Sequence, residues 1–242
     1  MLLEDFAIIN WPVEPARLRR HLPAGFEPEE RSGTAYVAMV AFRNHGFHFR
    51  AAPFARLSCA QADYRTFVRR GEERGVWFFG GSLSSRLVVV ATGLWKMPWH
   101  REPIEIARPS SEDSSAQWTF RSSGDWGAAV VTLSGTGRPF PGSSRFDGAA
   151  DNADSMTDPM IGWYPRRDGA IGRYSVWHEP LQLHEAAADV TTCKVFERLD
   201  LIDKDQAPSG AGMQRTVSFD VHTPPTKIAA ALAGGSDRMQ NC

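Results

Sequence analysis

The run ADYRTFVRR, residues 62–70, constrains the fold more than any other stretch. Its residues alternate so that Tyr64, Thr66 and Val68 fall on one face of an extended chain and Asp63, Arg65 and Phe67 on the other, the period-two pattern of a β-strand. Similar runs recur throughout: FAIINWPV, GTAYVAMVAFR, GVWFFGG, PIEIARP, AQWTFRSS, AAVVTLSGTG, GRYSVWHEPLQL, TTCKVFERLDL and RTVSFDVHTPP are all rich in β-branched or aromatic residues. Many short strands with few helices predict a mainly antiparallel β fold of the α+β class, as a single sheet or barrel with a few peripheral helices.

Helical signals are sparse. EPARLRRHLPAGF reads as a short helix with Pro15 in its first turn, Pro23 closing it, and Leu18 and Leu22 on its buried side. SRLVVVATGLWKMP is ambiguous, because its β-branched run argues for a strand while Leu87, Val90, Ala91 and Leu94 follow helical spacing and Pro98 would end a helix. In that helix Lys96 lies opposite Leu87, Ala91 and Leu94. TKIAAALAGG suggests a brief terminal helix before a frayed SDRMQNC, and the Gly-, Ser-, Asp- and Ala-rich segment 139–155 reads as a long loop. No repeat or linker divides the chain, so residues 1–225 are expected to form one domain and 226–242 a short helix and tail.

Composition narrows the function classes. With 242 residues, 42% hydrophobic and 23% charged, the chain is long enough to bury a sizeable core and has the balance of a soluble globular protein. A formal net charge of −1 gives no electrostatic reason to expect nucleic acid or an anionic membrane as partner. Cys59, Cys193 and Cys242 are too scattered for a disulfide framework or a zinc site, and MLLEDFAIINW lacks the basic start of a signal peptide. A cytoplasmic protein with a small-molecule ligand or substrate is therefore expected, without metal or cofactor and with a homo-oligomer left open.

The familiar signatures for phosphate loops, dinucleotide sites, zinc proteases and serine hydrolases are absent from the sequence. His45 and His48 have a spacing that two metal ligands can use, but no third ligand is placed by any pattern, and a loop with exposed imidazoles is the simpler reading. His178 shares a strand face with Val176 and Tyr174 and reads more readily as a satisfied, partly buried histidine than as a catalytic one. The tryptophans are core by default, with a few available as pocket walls. Lys96, Lys194, Lys204 and Lys227 are the only lysines, which limits Schiff-base chemistry to four positions.

INWPVEPARLRRHLPAGFEP, AYVAMVAFR, ADYRTFVRR, GVWFFGGSLSSRL, GLWKMPWH and GRYSVWHEPLQLHEA, in that order, resemble the YqjF-like uncharacterised proteins, relatives of acetoacetate decarboxylase. The resemblance implies an acetoacetate decarboxylase-like β-barrel with flanking helices and an interior cavity. In the true decarboxylases a lysine pair follows the proline of a segment like GLWKMPWH, and the first lysine forms the Schiff base; here Trp99 and His100 stand at those positions. Asp63 lies near the second catalytic acid of that family.

The constellation so implied has His100 as acid, base or hydrogen-bond donor, Arg65 as an anion clamp, Asp63 orienting that clamp or acting as a base, and Tyr64, Trp99, Lys96 and His178 as ligand-binding residues. An ion pair between Asp63 and Arg65 that merely closes the interior is an equal reading. Three functions remain open: acid/base chemistry on a keto- or carboxylate-bearing metabolite, a Lys96-dependent decarboxylase or aldolase, and a non-catalytic binding or sensory module.

Overall fold

The computed structural model describes residues 1–48, 56–108, 117–141, 161–221 and 225–228. The expected opening strand runs further than its apolar pattern, as β1 (Leu2–Val13), and Pro15 starts α1 (Pro15–Arg19), whose Leu18 is fully buried. The short β2 (Glu27–Pro28) precedes the long strands β3 (Ala35–Phe47), β4 (Leu57–Arg70) and β5 (Glu73–Leu83). Next come α2 (Val88–Leu94), β6 (Trp99–Arg101), β7 (Ile104–Ala107), β8 (Trp118–Ser122) and β9 (Ala129–Pro139). The rest is β10 (Ile161–Pro165), β11 (Ile171–His178), β12 (His184–Cys193), α3 (Lys194–Arg198), β13 (Gly210–Val221) and β14 (Thr226–Ile228).

Neighbouring strands pair in the order β14-β11-β10-β5-β4-β3-β1-β13-β12-β9-β8-β7, with β2 added on β4 and β6 on β5. The pairings are antiparallel as expected, except that β5 runs parallel to both β10 and β6. β11 pairs with β13 as well as with β10 and β14. Both faces of the central strands are covered. Ala7, Ile9 and Trp11 join Val37, Met39, Tyr64 and Phe120 in one core, while the alternate residues Phe6 and Ile8 join Val40, Phe42 and Phe67 in another. Double burial explains why β1 reads as a continuous apolar run rather than as strict alternation.

Several segments differ from their sequence patterns for local reasons. TTCKVFERLDL is not one strand: it passes from β12 into α3 at Lys194, where the Glu197 carboxylate accepts hydrogen bonds from the Cys193 N–H at 2.8 Å and the Thr192 hydroxyl at 3.1 Å. Val195 and Phe196 are thereby turned into the core, at 1% and 0% exposure. SRLVVVATGLWKMP resolves as the helix α2, but its stripe faces outward, with Leu87, Val90 and Leu94 at 55%, 56% and 65% exposure while Val88 anchors the turn at 3%. Lys96 lies beyond the helix with a left-handed φ of 56°.

Thr226–Ile228 is not helical: it forms β14 on the edge of β11, so the sheet extends past residue 225. Residues 229–242, and the 142–155 part of the predicted loop, lie outside the described residues. No helix among the described residues is long and apolar enough to cross a membrane.

Candidate functional site

A β-bulge shapes the site. In the β4–β5 ladder Tyr64 faces Gly80 while Arg65 faces Phe78, so Phe79 has no partner of its own. Gly80 takes φ +156°, and a Cβ there would lie 2.6 Å from the Trp126 ring and 2.7 Å from the Pro98 carbonyl. At Gly81 a Cβ would lie 2.7 Å from Asp63 Oδ1 and 3.0 Å from Trp99 Cδ1. The pair of glycines in GVWFFGGSL thus lets β6 and the Trp126 loop close directly onto β5 beside Asp63.

Against this bulge lies a pocket with Gln61, Asp63, Asn44, Trp99, Phe78, Tyr164 and Tyr174 on its walls, together with Leu3, Phe42, Met97, Val176 and Phe219. None of its described lining residues is a lysine, arginine or histidine. Apolar and aromatic walls with a few convergent polar groups are the usual make-up of small-molecule sites.

The Gln61 side-chain amide donates to both Asp63 oxygens, at 2.9 and 3.1 Å. Burial pushes the Asp63 carboxyl up to about 6, against the opposing pull of the Gln61 hydrogen bonds and the nearby Arg65 charge. Burial also holds the Tyr174 phenol well above its ordinary value, with Asp63 adding to the shift. The Tyr164 hydroxyl is committed to the Trp95 carbonyl at 3.0 Å.

The structure brings together only some of the residues singled out from the sequence. Asp63 and Trp99 line the pocket, and Arg65 stands beside Asp63 on the same strand face, its guanidinium 5.8 Å from the Phe67 ring. His100, next to Trp99 on β6, belongs to a different cluster: its ring stacks on Trp126 at 4.1 Å and 8°. Burial and then the Arg167 charge push its pKa down. Tyr64 is fully buried in the core, donating to the Gly127 carbonyl at 3.0 Å, and is not among the pocket's described lining residues. Lys96 borders a separate surface hollow with Val89, Thr92, Arg167 and Asp168. His178 stacks on the pocket residue Phe219, with ring centroids 6.3 Å apart, and its Nδ1 lies 2.9 Å from the Glu179 carbonyl oxygen.

His45 lies within β3, not in a loop, and faces Glu4 at 3.0 Å. Among the described residues no group of three or more His, Cys, Asp or Glu side chains is placed to hold a metal ion.

Sequence reasoning missed Gln61, Asn44 and Glu102. Gln61 was within reach, since it lies two residues before Asp63 and therefore on the same strand face. Glu102 has no periodic signal, yet it organises the bulge from behind. Its carboxylate, in a residue only 4% exposed, accepts from the Ser82 hydroxyl at 2.5 Å, the Ser122 hydroxyl at 3.2 Å, the Trp126 N–H at 2.9 Å and the Gly127 N–H at 2.8 Å.

The raised Asp63 pKa has a consequence for stability. A carboxyl moved from 3.8 to about 6 in the folded state favours folding while protonated, and that contribution is fully present below about pH 4 and lost as pH rises through 6. Ionised Asp63 therefore costs the folded protein on the order of 2–3 kcal/mol at pH 8. Asp63→Asn removes the charge at nearly constant volume and is expected to raise Tm by about 4–8 °C at pH 8, with the gain roughly halved at pH 5. Thermal unfolding followed by circular dichroism at the two pH values checks this; a variant that melts below wild type at pH 8 would contradict it.

A family model for an uncharacterized conserved protein, DUF2071, matches residues 1–218. No curated protein matches the chain. Among solved structures, the fold is similar to an acetoacetate decarboxylase-like enzyme from Sphingomonas wittichii RW1, with a TM-score of 0.64 and 12% identity over 95% of this chain and 92% of that one. It is also similar to the enduracididine biosynthesis enzyme MppR complexed with pyruvate, with a TM-score of 0.63 and 12% identity over 95% and 90% of the two chains. A third is acetoacetate decarboxylase from Legionella pneumophila subsp. pneumophila str. Philadelphia 1, with a TM-score of 0.59 and 12% identity over 96% and 88%. At such identities the likeness is one of fold.

Proposed function

We propose that this chain, which belongs to the DUF2071 family, binds a small organic molecule in the pocket beside Asp63 and exchanges a proton with it, working on an acetoacetate decarboxylase-like fold without a Schiff base. The observation that carries the reading is a carboxyl raised to about 6 on the wall of an aromatic pocket that has no lysine among its described lining. A base with a pKa near working pH combines a large ionised fraction with useful proton affinity. We read the ring of pairings through β1, β3, β4, β5, β10, β11 and β13 as a barrel, with the pocket opening into its interior.

The substrate class is a carbonyl compound with an apolar body. The Asp63 carboxylate takes a proton from the carbon next to the carbonyl, the carbon–hydrogen electron pair becomes the carbon–carbon double bond of an enolate, and the protonated Asp63 returns the proton to carbon or to oxygen. Arg65 moderates the Asp63 charge from the same strand face. A fold neighbour complexed with pyruvate supports a keto ligand. Of the two bases expected from the sequence, the reading takes Asp63 rather than His100, whose ring stacks on Trp126.

Proton NMR in D2O with phenylacetone, 2-oxobutyrate and acetoacetate tests the reading. Wild type is expected to wash out the protons next to the carbonyl of at least one of them, and Asp63→Asn to do so at least about 100-fold more slowly. Wild-type exchange no faster than buffer across such a panel would sink the catalytic part. Trp99, standing where the resemblance puts the Schiff-base lysine, favours a second reading as a binding module; that reading predicts ligand-induced shifts without exchange.

Because Lys96 borders a different hollow, borohydride treatment in the presence of acetoacetate is expected to leave the intact mass unchanged. An adduct mapped to Lys96 would restore the lysine-dependent mechanism.

A further inference from the structure

Asn44 sits on β3 in register with Leu3 of β1 and Cys59 of β4, and it lines the same pocket as Gln61 and Asp63. The residue is only 4% exposed, and no donor among the described residues reaches its Oδ1. Buried side-chain oxygens nearly always have a partner, so an unmatched one in a residue that lines the pocket points to a group that the ligand brings.

The polar character of the pocket is one-sided. Gln61 already directs its amide N–H groups at Asp63, so Asp63 and the Asn44 carbonyl oxygen both act as acceptors. A carboxylate or phosphate would meet these oxygens with no cation among the described lining residues. An ammonium would have to share Asp63 with Arg65, whose charge already favours the ionised carboxylate.

Resting on the binding reading above, we infer that the polar end of the ligand is an uncharged hydroxyl donor, an enol or a phenol, whose O–H is accepted by Asn44 Oδ1 while its apolar body lies against Trp99 and Tyr174. The pocket is thereby complementary to the enol form of a carbonyl compound, which donates, over the keto form, which only accepts.

The test uses three probes of matched bulk, 4-ethylphenol, 4-ethylanisole and 4-ethylbenzoate, titrated into the full chain and followed by amide and indole proton–nitrogen NMR. Wild type is expected to bind the phenol about 5- to 20-fold more tightly than the anisole, which cannot donate, and the benzoate most weakly. Asn44→Leu is expected to bring the phenol and anisole within about twofold of each other. Anisole or benzoate binding as tightly as the phenol, or a phenol preference that survives in Asn44→Leu, overturns the inference while leaving the pocket a binding site. Absence of shifts at Trp99 and its pocket neighbours with all three probes fails the binding reading itself. If the leucine variant does not fold, the wild-type ratio alone decides.

Discussion

Glu102→Ala is expected to lower Tm by about 8–16 °C, corresponding to a loss on the order of 4 kcal/mol. The side chain touches no pocket residue by hydrogen bond, yet its carboxylate gathers two hydroxyls and two backbone N–H groups in a place that is only 4% exposed. Removing the acceptor leaves several buried donors without partners, each costly to desolvate. The surroundings cannot collapse without rearrangement: Gly124 and Gly127 pack so closely on Glu102 that a Cβ at either would lie 2.1 or 2.7 Å from its carboxylate. Glu102→Gln keeps the volume but turns an NH2 group toward donors, so an intermediate loss is expected. Thermal unfolding checks both; a Tm for Glu102→Ala within about 2 °C of wild type would show that the network is dispensable. Trp126, which this carboxylate positions, carries the stacked His100 and packs on Gly80, so the same variant should also loosen the bulge beside the pocket.

The second large effect concerns rate. Asp63→Asn is expected to slow exchange of protons next to the substrate carbonyl by about 100- to 10,000-fold, the range over which a positioned base contributes. The wild-type rate should climb about tenfold per pH unit below 6 and level off above it, because the working form is the ionised carboxylate and its pKa is raised to about 6. His100→Ala should leave that profile within about threefold, since its ring stacks on Trp126 and it is not among the pocket's described lining residues. Exchange followed by proton NMR from pH 4.5 to 8 separates the two residues: a flat profile, or an Asp63→Asn variant as fast as wild type, would remove Asp63 from the mechanism. Combined with the higher Tm expected for that variant, a slower but more stable protein is the signature of a site whose charge is held at a cost to folding.

Much of the strand content was legible because period-two alternation and β-branched runs are local properties. ADYRTFVRR put Asp63 and Arg65 on one face, and the structure has them there, in β4. Local pattern failed where a contact that the apolar pattern does not encode decides the backbone. KVFER is helical because Glu197 reaches back to the Cys193 N–H and the core takes Val195 and Phe196. TKI is a strand because the edge of β11 offers it a partner. The apolar stripe of α2 faces outward because so short a helix, held by Val88, buries only one of its sides.

For the site, residue types were readable and partnership was not. The sequence by itself determined a β-rich fold, the shared face of Asp63 and Arg65, and the absence of a lysine at the place where the acetoacetate decarboxylase resemblance puts one. Only the tertiary structure decided that Trp99 turns toward Asp63 while its neighbour His100 turns toward Trp126, because successive residues of a strand point to opposite faces and β6 is held in parallel register on β5. It likewise decided that Asn44, Gln61 and Asp63 meet in one pocket and that Glu102 is satisfied behind it. Those meetings depend on register between strands, of β3 on β4 for Asn44, Gln61 and Asp63, and of β4, β5 and β6 beside the bulge for Asp63 and Trp99, which no local pattern encodes.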